Sequence, residues 1–386
     1  MGLTFHWFLP TFGDSRYLVG GNHGSDFTAS SGDRPATHAY LAQIARSAEQ
    51  LGYTAVLSPI GAWCEDPWIT TASLIDATER LKFLVAFRPG QITPTLAAQM
   101  AGSFQRYSNG RVLLNIVSGG EDAEQRAYSD FLDKVGRYER TDEFLTVLRR
   151  LWAGERVDFA GEHIHVEGAQ LAKPPSPVPD IYFSGSSTQA LKIAAKHVDA
   201  YLTWGEPPAQ VREKLAALRA ETDATGRDPR LGIRLHVISR DTAEEAWAQA
   251  EKLLKAINPA TIAAVQAGLS QSVSEGQKRM SALHGGRTDH LEVSPNLWAG
   301  VGLVRGGAGT ALVGSHAEVA ERIEEYHALG LDEFVLSGYP HLEEAYWFAE
   351  GVLPILRRKG LWRHPADLPA VDTRVPFANL GVPTAQ

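Results

Sequence analysis

The sequence contains little that would place the protein in a membrane or outside a cell. Among its 386 residues there is one cysteine, Cys64, so no internal disulfide can form and a reducing compartment suits the chain. No segment approaches the roughly 20 apolar residues of a membrane-spanning helix. The first ten residues lack the basic region and the long apolar run of a secretion signal. We therefore expect a cytoplasmic protein.

Clusters of positive charge are also missing. The chain carries 37 basic and 45 acidic residues, a net charge of −8, and no run rich in lysine or arginine. This composition argues against nucleic acid or an acidic membrane surface as a partner. A negatively charged substrate would need a few arginines placed at its binding site, because the overall field repels it.

Several catalytic and metal-binding motifs are absent as well. Without an HExxH, a cysteine cluster or a GxSxG, the sequence gives no support to a metalloprotease or a serine hydrolase. His163 and His165 alternate on a predicted strand, but no third residue completes a recognisable metal-binding motif with them. We assign both to the surface of a hairpin over Val157–Val166 and expect no metal site.

Eight short apolar segments alternate with segments of helical periodicity. This order favours the α/β class and a (β/α)8 TIM barrel over an open, doubly wound sheet with two domains. The eight predicted strands cover residues 3–9, 54–57, 82–86, 112–117, 180–183, 200–203, 231–238 and 333–336. We expect residues 1–360 to form one barrel domain with an insertion at about 258–312, followed by a C-terminal arm over 361–386.

The insertion runs into a glycine-rich stretch, Asn296–Gly314. Six of the fifteen residues from Gly300 to Gly314 are glycine, and Arg305 carries the only charge among them. Ordering so much glycine is unfavourable in conformational entropy. We interpret the stretch as a mobile lid that brings one cation onto an anionic ligand. The alternative is a flexible surface loop whose arginine meets water or a neighbouring subunit.

Catalytic side chains in such barrels come from the carboxyl ends of the strands and from the loops that follow. Arg234 and His236 are two residues apart on the seventh strand and share one face, as a functional pair or a structurally satisfied one. Ser186 and Ser187 open a helix after the fifth strand, which suits a phosphate but also an ordinary N-cap. Further candidates at strand ends are Cys64, Asn115, Ser118, Trp204, Tyr339 and His341.

Longer strings carry a resemblance to a known family. They are Phe8-Leu-Pro-Thr, Cys64-Glu-Asp, Tyr201-Leu-Thr-Trp-Gly-Glu-Pro-Pro, Gly232-Ile-Arg-Leu-His-Val-Ile, the stretch from Ser294 to Gly314, and Ser337-Gly-Tyr-Pro-His-Leu-Glu-Glu-Ala-Tyr. Through these strings the chain, from about Phe5 to about Ala349, resembles the two-component, reduced-flavin-dependent alkanesulfonate monooxygenases of the bacterial luciferase-like superfamily.

The resemblance implies a TIM-barrel enzyme that forms a homodimer or homotetramer. Such enzymes take reduced FMN (FMNH2) from a separate NAD(P)H-dependent flavin reductase and use O2 to oxidise an organosulfonate, which releases sulfite, an aldehyde and FMN. The residues at matching active-site positions are Cys64, Arg234, His236, Arg305 and Tyr339. Those implied at the substrate are Arg234, Arg305, Trp204 and His341. Those implied at the cofactor are Ser186, Ser187 and Tyr138 at the flavin phosphate, with Asn115 and Ser118.

The chemistry of these residues agrees with such roles. A sulfonate is a permanent monoanion with three acceptor oxygens, so Arg234 and Arg305 are natural clamps. His236 would act as a general base or proton shuttle near neutral pH. A closing lid would keep water away from the reaction.

One loop departs from the family pattern. Residues Val19–Asp33, after the first strand, form a longer and more polar stretch than the alkanesulfonate enzymes have there. At the mouth of the barrel this loop would suit a hydroxylated substrate such as the sulfosugar sulfoquinovose, although surface loops also tolerate neutral insertions. Alkanesulfonates and sulfosugars therefore both stay open. So do a non-catalytic flavin-binding role and a deazaflavin-dependent reaction in the same fold.

Overall fold

The computed structural model describes residues 2–18, 33–119 and 121–368. Its strands are β1 (Thr4–Phe8), β2 (Ala55–Ser58), β3 (Lys82–Phe87), β4 (Val112–Ile116), β5 (Val157–Ala160), β6 (His165–Ala169), β7 (Ile181–Ser184), β8 (Ala200–Trp204), β9 (Arg230–Arg240), β10 (Glu292–Ser294), β11 (Leu297–Trp298), β12 (Ala311–Ser315) and β13 (Glu333–Ser337). Its α-helices are α1 (His38–Leu51), α2 (Pro67–Ser73), α3 (Pro94–Ser108), α4 (Asp122–Ala127), α5 (Lys134–Trp152), α6 (Thr188–His197), α7 (Pro208–Thr225), α8 (Ala243–Lys255), α9 (Pro259–Leu269), α10 (Glu275–His284), α11 (His316–His327), α12 (His341–Gly351) and α13 (Leu353–Arg358).

Eight parallel strands close into a barrel. In ring order they are β1, β2, β3, β4, β7, β8, β9 and β13, and β13 pairs again with β1. These are the eight strands that the sequence predicts, so the (β/α)8 barrel is confirmed. Strands β5 and β6 pair antiparallel as the predicted hairpin outside the ring.

The alternation of side chains along each strand separates two cores. On β1, Phe5 and Trp7 pack outward, Phe5 against Phe348 of α12, and Phe8 points into the barrel. The amino ends of the strands are closed by charged groups: Glu333 accepts from Arg230 at 2.5 Å and lies 3.1 Å from His6. The opposite end, where the strands finish, is left for the site.

Strand β9 is longer than its neighbours and carries the insertion. Its first residues pair with β8 and β13. The part from His236 to Arg240 pairs with β12, with Ala311 opposite His236 and Ser315 opposite Arg240. Strands β11 and β10 continue the sheet antiparallel. Helix α10 is fastened to the barrel by Arg279, whose guanidinium donates to the buried carboxylate of Glu206 at 2.5 and 3.0 Å.

The stretch Asn296–Gly314, predicted as a loop-like lid, is partly regular structure. It contains β11, a 3₁₀ turn over Gly300–Leu303 and most of β12, and every residue from 297 to 314 is buried. Its apolar residues favour burial, and the projecting end of β9 offers them an unpaired strand edge. The segment that carries Arg305 therefore lies folded against the barrel. Its mobility stays a prediction.

The two ends of the described chain meet on the barrel. Leu3 N–H donates to Leu361 O at 2.7 Å and Trp362 is buried, so the beginning of the predicted C-terminal arm packs on the barrel. The rest of that arm, 369–386, and all but the last residue of the loop over Val19–Asp33 lie outside the described residues. None of the described helices is both long and apolar enough to cross a membrane.

The fold brings one distant residue, Glu139, next to one of the hairpin histidines. His163 lies beside Glu139 of α5 and Glu162, and one potential ligand atom from each falls within 4.8 Å of the others. Both glutamates are exposed, and the Glu139–His163 pair at 3.3 Å accounts for the contact as a surface ion pair. His165 is exposed and faces Glu167 at 3.2 Å.

Candidate active site

Arg234 and His236 point into the barrel, as their spacing predicts. The apolar residues between and beside them, Ile233, Leu235 and Val237, belong to the outer core. Both polar side chains line a small cavity beside the ends of β1 and β13. The described residues that line it are Phe8, Arg234, Leu235, His236, Arg305, Gly306, Ala308, Val335, Leu336 and Ser337. We call this cavity the arginine pocket.

Two guanidiniums meet in the arginine pocket. Arg305 donates a hydrogen bond to the Tyr339 hydroxyl, and its guanidinium lies 5.1 Å from the ring centre of Phe8. Arg234 lies 5.8 Å from the same ring. Within the described ranges no carboxylate pairs with either arginine. Burial, together with the charge of Arg305, lowers the pKa of Arg234 to about 10. An anion bound between the two would relieve this unfavourable arrangement.

His236 adds a neutral imidazole to the arginine pocket. Its Nδ1 lies 2.9 Å from Ser337 Oγ, and its ring stacks on Tyr339 with centres 5.7 Å apart. Burial first, and then the charge of Arg305, lowers the pKa of His236 well below its ordinary value. The ring is therefore a weak proton acceptor until an anion offsets the neighbouring positive charge.

His341 lies on the far side of Tyr339 and is held by a buried aspartate. The two rings meet edge to face with centres 4.9 Å apart. Asp14 lies 2.9 Å from His341 Nδ1, accepts the His341 backbone N–H at 2.9 Å and accepts the Tyr40 hydroxyl at 2.6 Å. Burial raises the pKa of Asp14, but His341 and the hydrogen bonds outweigh it and leave the pKa lowered.

The Asp14 carboxylate orients the His341 ring. A carboxylate beside Nδ1 favours an N–H at that nitrogen. His341 Nε2 is buried and has no hydrogen-bond partner in the part of the chain that the structure describes. His341 does not line the arginine pocket, so this nitrogen lies behind the pocket wall, next to Tyr339.

A larger cavity lies beside the ends of β4, β7 and β8. Three helices begin at it: α5 with Lys134, α6 with its N-cap Ser187, and α10 with its N-cap Ser274. Helix amino ends present free N–H groups and partial positive charge, which favour an anion. The described residues that line it are Val117, Ser118, Gly119, Glu121, Lys134, Tyr138, Ser184, Gly185, Ser186, Ser187, Leu202, Thr203, Trp204, Ser274, Glu275, Gly276 and Gln277. We call it the serine pocket.

Most of the residues expected at a cofactor line the serine pocket. Ser118, Tyr138, Ser186 and Ser187 do so, whereas Asn115 stands apart on β4 with a buried Oδ1 that has no partner among the described residues.

Trp204, expected at the substrate, also lines the serine pocket. Its Nε1 is buried and unpartnered within the described ranges. The next residue, Gly205, donates its N–H to Arg234 O at 2.9 Å, so the two pockets adjoin along β8 and β9.

Comparison with known proteins agrees with this architecture. Residues 3–333 match the family described as luciferase-like monooxygenase. The chain belongs to this family. Among solved structures, it is similar to a riboflavin lyase determined with modified FMN and riboflavin, with a TM-score of 0.78, 22% identity, and coverage of 96% of this chain and 94% of the other.

Two further structures share the fold. The long-chain alkane monooxygenase LadA has a TM-score of 0.75 and 19% identity, and the alignment covers 94% of this chain and 93% of LadA. DmoA from Hyphomicrobium sulfonivorans has a TM-score of 0.74 and 20% identity, with coverage of 94% and 90%. At such identities these likenesses establish the shared fold of the luciferase-like chain.

Cys64 lies apart from both pockets of this luciferase-like barrel. Its thiol donates to Gly61 O at 3.3 Å, and it packs with the apolar cluster that includes Phe12. Burial raises the pKa of Cys64 to about 12, so the thiol stays protonated at neutral pH. A catalytic role for Cys64 remains a prediction that the geometry of the pockets does not support.

Four residues of the site escape the sequence-based assignment. They are Asp14, Lys134, Gln277 and Ser337. Ser337 ends β13 and could have been found by the same strand-end rule that gave Tyr339. Asp14 follows a strand end at some distance, and nothing local marks it as buried. Lys134 and Gln277 reach the serine pocket only through the packing of their helices.

Proposed function

We propose that this luciferase-like protein is an FMNH2- and O2-dependent monooxygenase that desulfonates an organosulfonate. The substrate is an alkanesulfonate or sulfoquinovose, and the products are sulfite, FMN and an aldehyde, which is 6-dehydroglucose in the case of sulfoquinovose. The observation that carries the proposal is the arginine pocket, where Arg234 and Arg305 have no carboxylate partner in the described chain. A sulfonate matches them in charge and in number of acceptors.

The serine pocket fits FMN. A phosphate suits the amino ends of α5, α6 and α10, with Ser186, Ser187, Tyr138 and Lys134 as its ligands. The unpartnered Asn115 Oδ1 and Trp204 Nε1 are available to the donors and acceptors of a flavin ring. FMN, supplied reduced by a separate NAD(P)H-dependent reductase, contributes two electrons and activates O2 when bound.

The arginine pocket binds and orients the sulfonate. Arg234 and Arg305 hold its oxygens, and Tyr339 fixes the Arg305 guanidinium through its hydroxyl. Negative charge that accumulates on the leaving sulfite is stabilised by the same two guanidiniums. The bound anion also raises the pKa of His236, so that a larger fraction of its imidazole is protonated and can donate to the anion. The buried Arg305 segment keeps water out.

His341 accepts the proton that the substrate loses. One sulfonate, one O2 and one FMNH2 give one aldehyde, one sulfite, one FMN, one water and one proton. The carbon that bears the sulfonate loses a C–H proton, and the C–S bonding pair leaves with sulfite. We assign this proton to Nε2 of His341, which is buried next to Tyr339 behind the lining of the arginine pocket, and the ionised Asp14 would stabilise the imidazolium that forms.

A sulfite-release panel tests the proposal. The protein, FMN, NADH, a flavin reductase and air are combined with alkanesulfonates of increasing chain length and with sulfoquinovose, and sulfite is measured. Release should require every component and should be lost in Arg305→Met. No sulfite from any sulfonate would contradict the proposal. In that case tight binding of oxidised FMN would favour a non-catalytic role, and oxygen-independent turnover with a deazaflavin would favour hydride transfer.

A further inference from the structure

One side chain connects the two pockets. Gln277, the third residue of α10, lines the serine pocket and is 3% exposed. Its Oε1 accepts the backbone N–H of Gly307 at 2.8 Å. Gly307 lies between Gly306 and Ala308, which line the arginine pocket next to Arg305. Gln277 therefore forms part of the wall of the serine pocket, and its amide also binds the backbone between two residues that line the arginine pocket.

The position of Gln277 depends on the serine pocket. Ser274, Glu275 and Gly276 precede it at the amino end of α10 and line the same cavity. Lys134, on the opposite wall, donates to Val273 O at 2.8 Å. A phosphate that draws on Lys134 and on the N–H groups of α10 would fix the place of this helix end, and with it the amide of Gln277.

The position of Arg305 depends in turn on Gly307. Gly307 has φ = +87°, a conformation that other residues adopt only with strain. Losing the acceptor at Gln277 would leave a buried N–H without its partner, which favours opening of the turn. Arg305 is two residues away and would move with it.

We propose that Gln277 is a positioning residue that couples the serine pocket to the arginine pocket, so that a phosphate bound in the first tightens sulfonate binding in the second. The coupling rests on the proposed function, because it assigns FMN and a sulfonate to these cavities. It adds a thermodynamic link between the two ligands, and such links are reciprocal.

Gln266 offers a matched control. This glutamine also holds the Arg305 segment, donating to Gly302 O at 3.0 Å and Leu303 O at 2.9 Å. It lines neither pocket. Gln266→Leu removes an anchor of the same chemical kind without breaking the connection, so loss of coupling in Gln277→Leu alone separates positioning from general loosening.

The experiment is a binding cycle. The Kd of ethanesulfonate and of sulfoquinovose is measured by calorimetry with no flavin, with saturating oxidised FMN, and with riboflavin. FMN should tighten the binding of at least one of these sulfonates by about fivefold or more in the wild type and in Gln266→Leu, and by less than about twofold in Gln277→Leu. Riboflavin, which lacks the phosphate, should change the wild-type value by less than about twofold. An equal effect of riboflavin, or wild-type coupling in Gln277→Leu, would overturn the proposal.

Hydrogen–deuterium exchange keeps the test decisive if Gln277→Leu does not fold. FMN should slow exchange in wild-type peptides that span 301–309, and riboflavin should not. Unchanged exchange there would overturn the coupling while FMN and sulfonate still bind, which leaves the proposed function intact. A wild type that binds neither ligand would overturn both.

Discussion

Replacing Arg234 by methionine should abolish sulfonate binding and leave the fold as stable as the wild type, or more stable. The pKa of Arg234 falls from an ordinary 12.5 to about 10 because its surroundings desolvate the half-buried side chain and because it faces Arg305. A shift of this size disfavours the charged form by about 3 kcal/mol. The folded arginine is charged at every pH below about 10, so the whole penalty applies at pH 7.5.

Methionine removes the charge and keeps most of the apolar stem. What the variant loses is the contact between the guanidinium and the Phe8 ring, at 5.8 Å, worth about 0.5–2 kcal/mol. The balance is a gain of about 1–2.5 kcal/mol in the free energy of unfolding, obtained from the two estimates. Sites that bind charged ligands commonly trade stability for function in this way.

Arg111 is the matched control. It is also buried, but its guanidinium donates to Ile75 O, Leu81 O, Ser108 O and the Thr78 hydroxyl at 2.6–3.2 Å. Arg111→Met leaves these buried acceptors without a donor and should lower the free energy of unfolding by about 2–4 kcal/mol.

Urea unfolding at pH 7.5, with and without a sulfonate, compares the two variants. At one hundred times its Kd the ligand should stabilise the wild type by about 2.7 kcal/mol and Arg234→Met not at all. The reasoning is refuted if Arg234→Met is destabilised as strongly as Arg111→Met, or if the sulfonate stabilises it as it does the wild type.

Three other predictions follow from the pockets. The pKa of His236 is lowered from its ordinary 6.5, so below about pH 6.5 the ring binds a proton in the unfolded chain but not in the folded one, and the free energy of unfolding falls as the pH drops. In His236→Gln the free energy of unfolding, measured with urea, should depend less on pH between about pH 7 and 5. An unchanged slope would count against the assignment. Asp14→Asn should lower kcat by about 10–100-fold with little change in KM, and it should shift the acidic limb of the pH–rate profile. An unshifted limb would rule out His341 as the proton acceptor. Ser187→Ala should weaken FMN binding about tenfold and leave riboflavin binding unchanged. Thr242→Ala removes the N-cap of α8, which lines neither pocket, and should change the binding of neither flavin. Equal weakening of both flavins by Ser187→Ala would indicate that Ser187 is only a structural cap.

The barrel could be foreseen because its signals are local. Short apolar segments that alternate with segments of helical periodicity mark all eight strands, and the period of two along β9 placed Arg234 and His236 on one face. Tyr339 and Arg305 came together as the family resemblance implies. These features depend on a few neighbouring residues.

The features of the site that could not be predicted from the sequence depend on long-range packing. The Asp14–His341 pair spans 327 positions and the Gln277–Gly307 bond spans 30, and neither leaves a periodic trace. The glycine-rich stretch reads as a loop because its strand β12 is stabilised by the projecting end of β9, a partner about 75 residues earlier. Trp204 was assigned by its place at a strand end, which does not say into which of two adjoining pockets a side chain turns.

A crystal structure of the protein with FMN and a sulfonate tests the central claim most directly. The account predicts the sulfonate in the arginine pocket, within hydrogen-bonding distance of both Arg234 and Arg305, and the FMN phosphate in the serine pocket at the amino ends of α5, α6 and α10. A sulfonate that contacts neither arginine, or a phosphate bound between them, would contradict it.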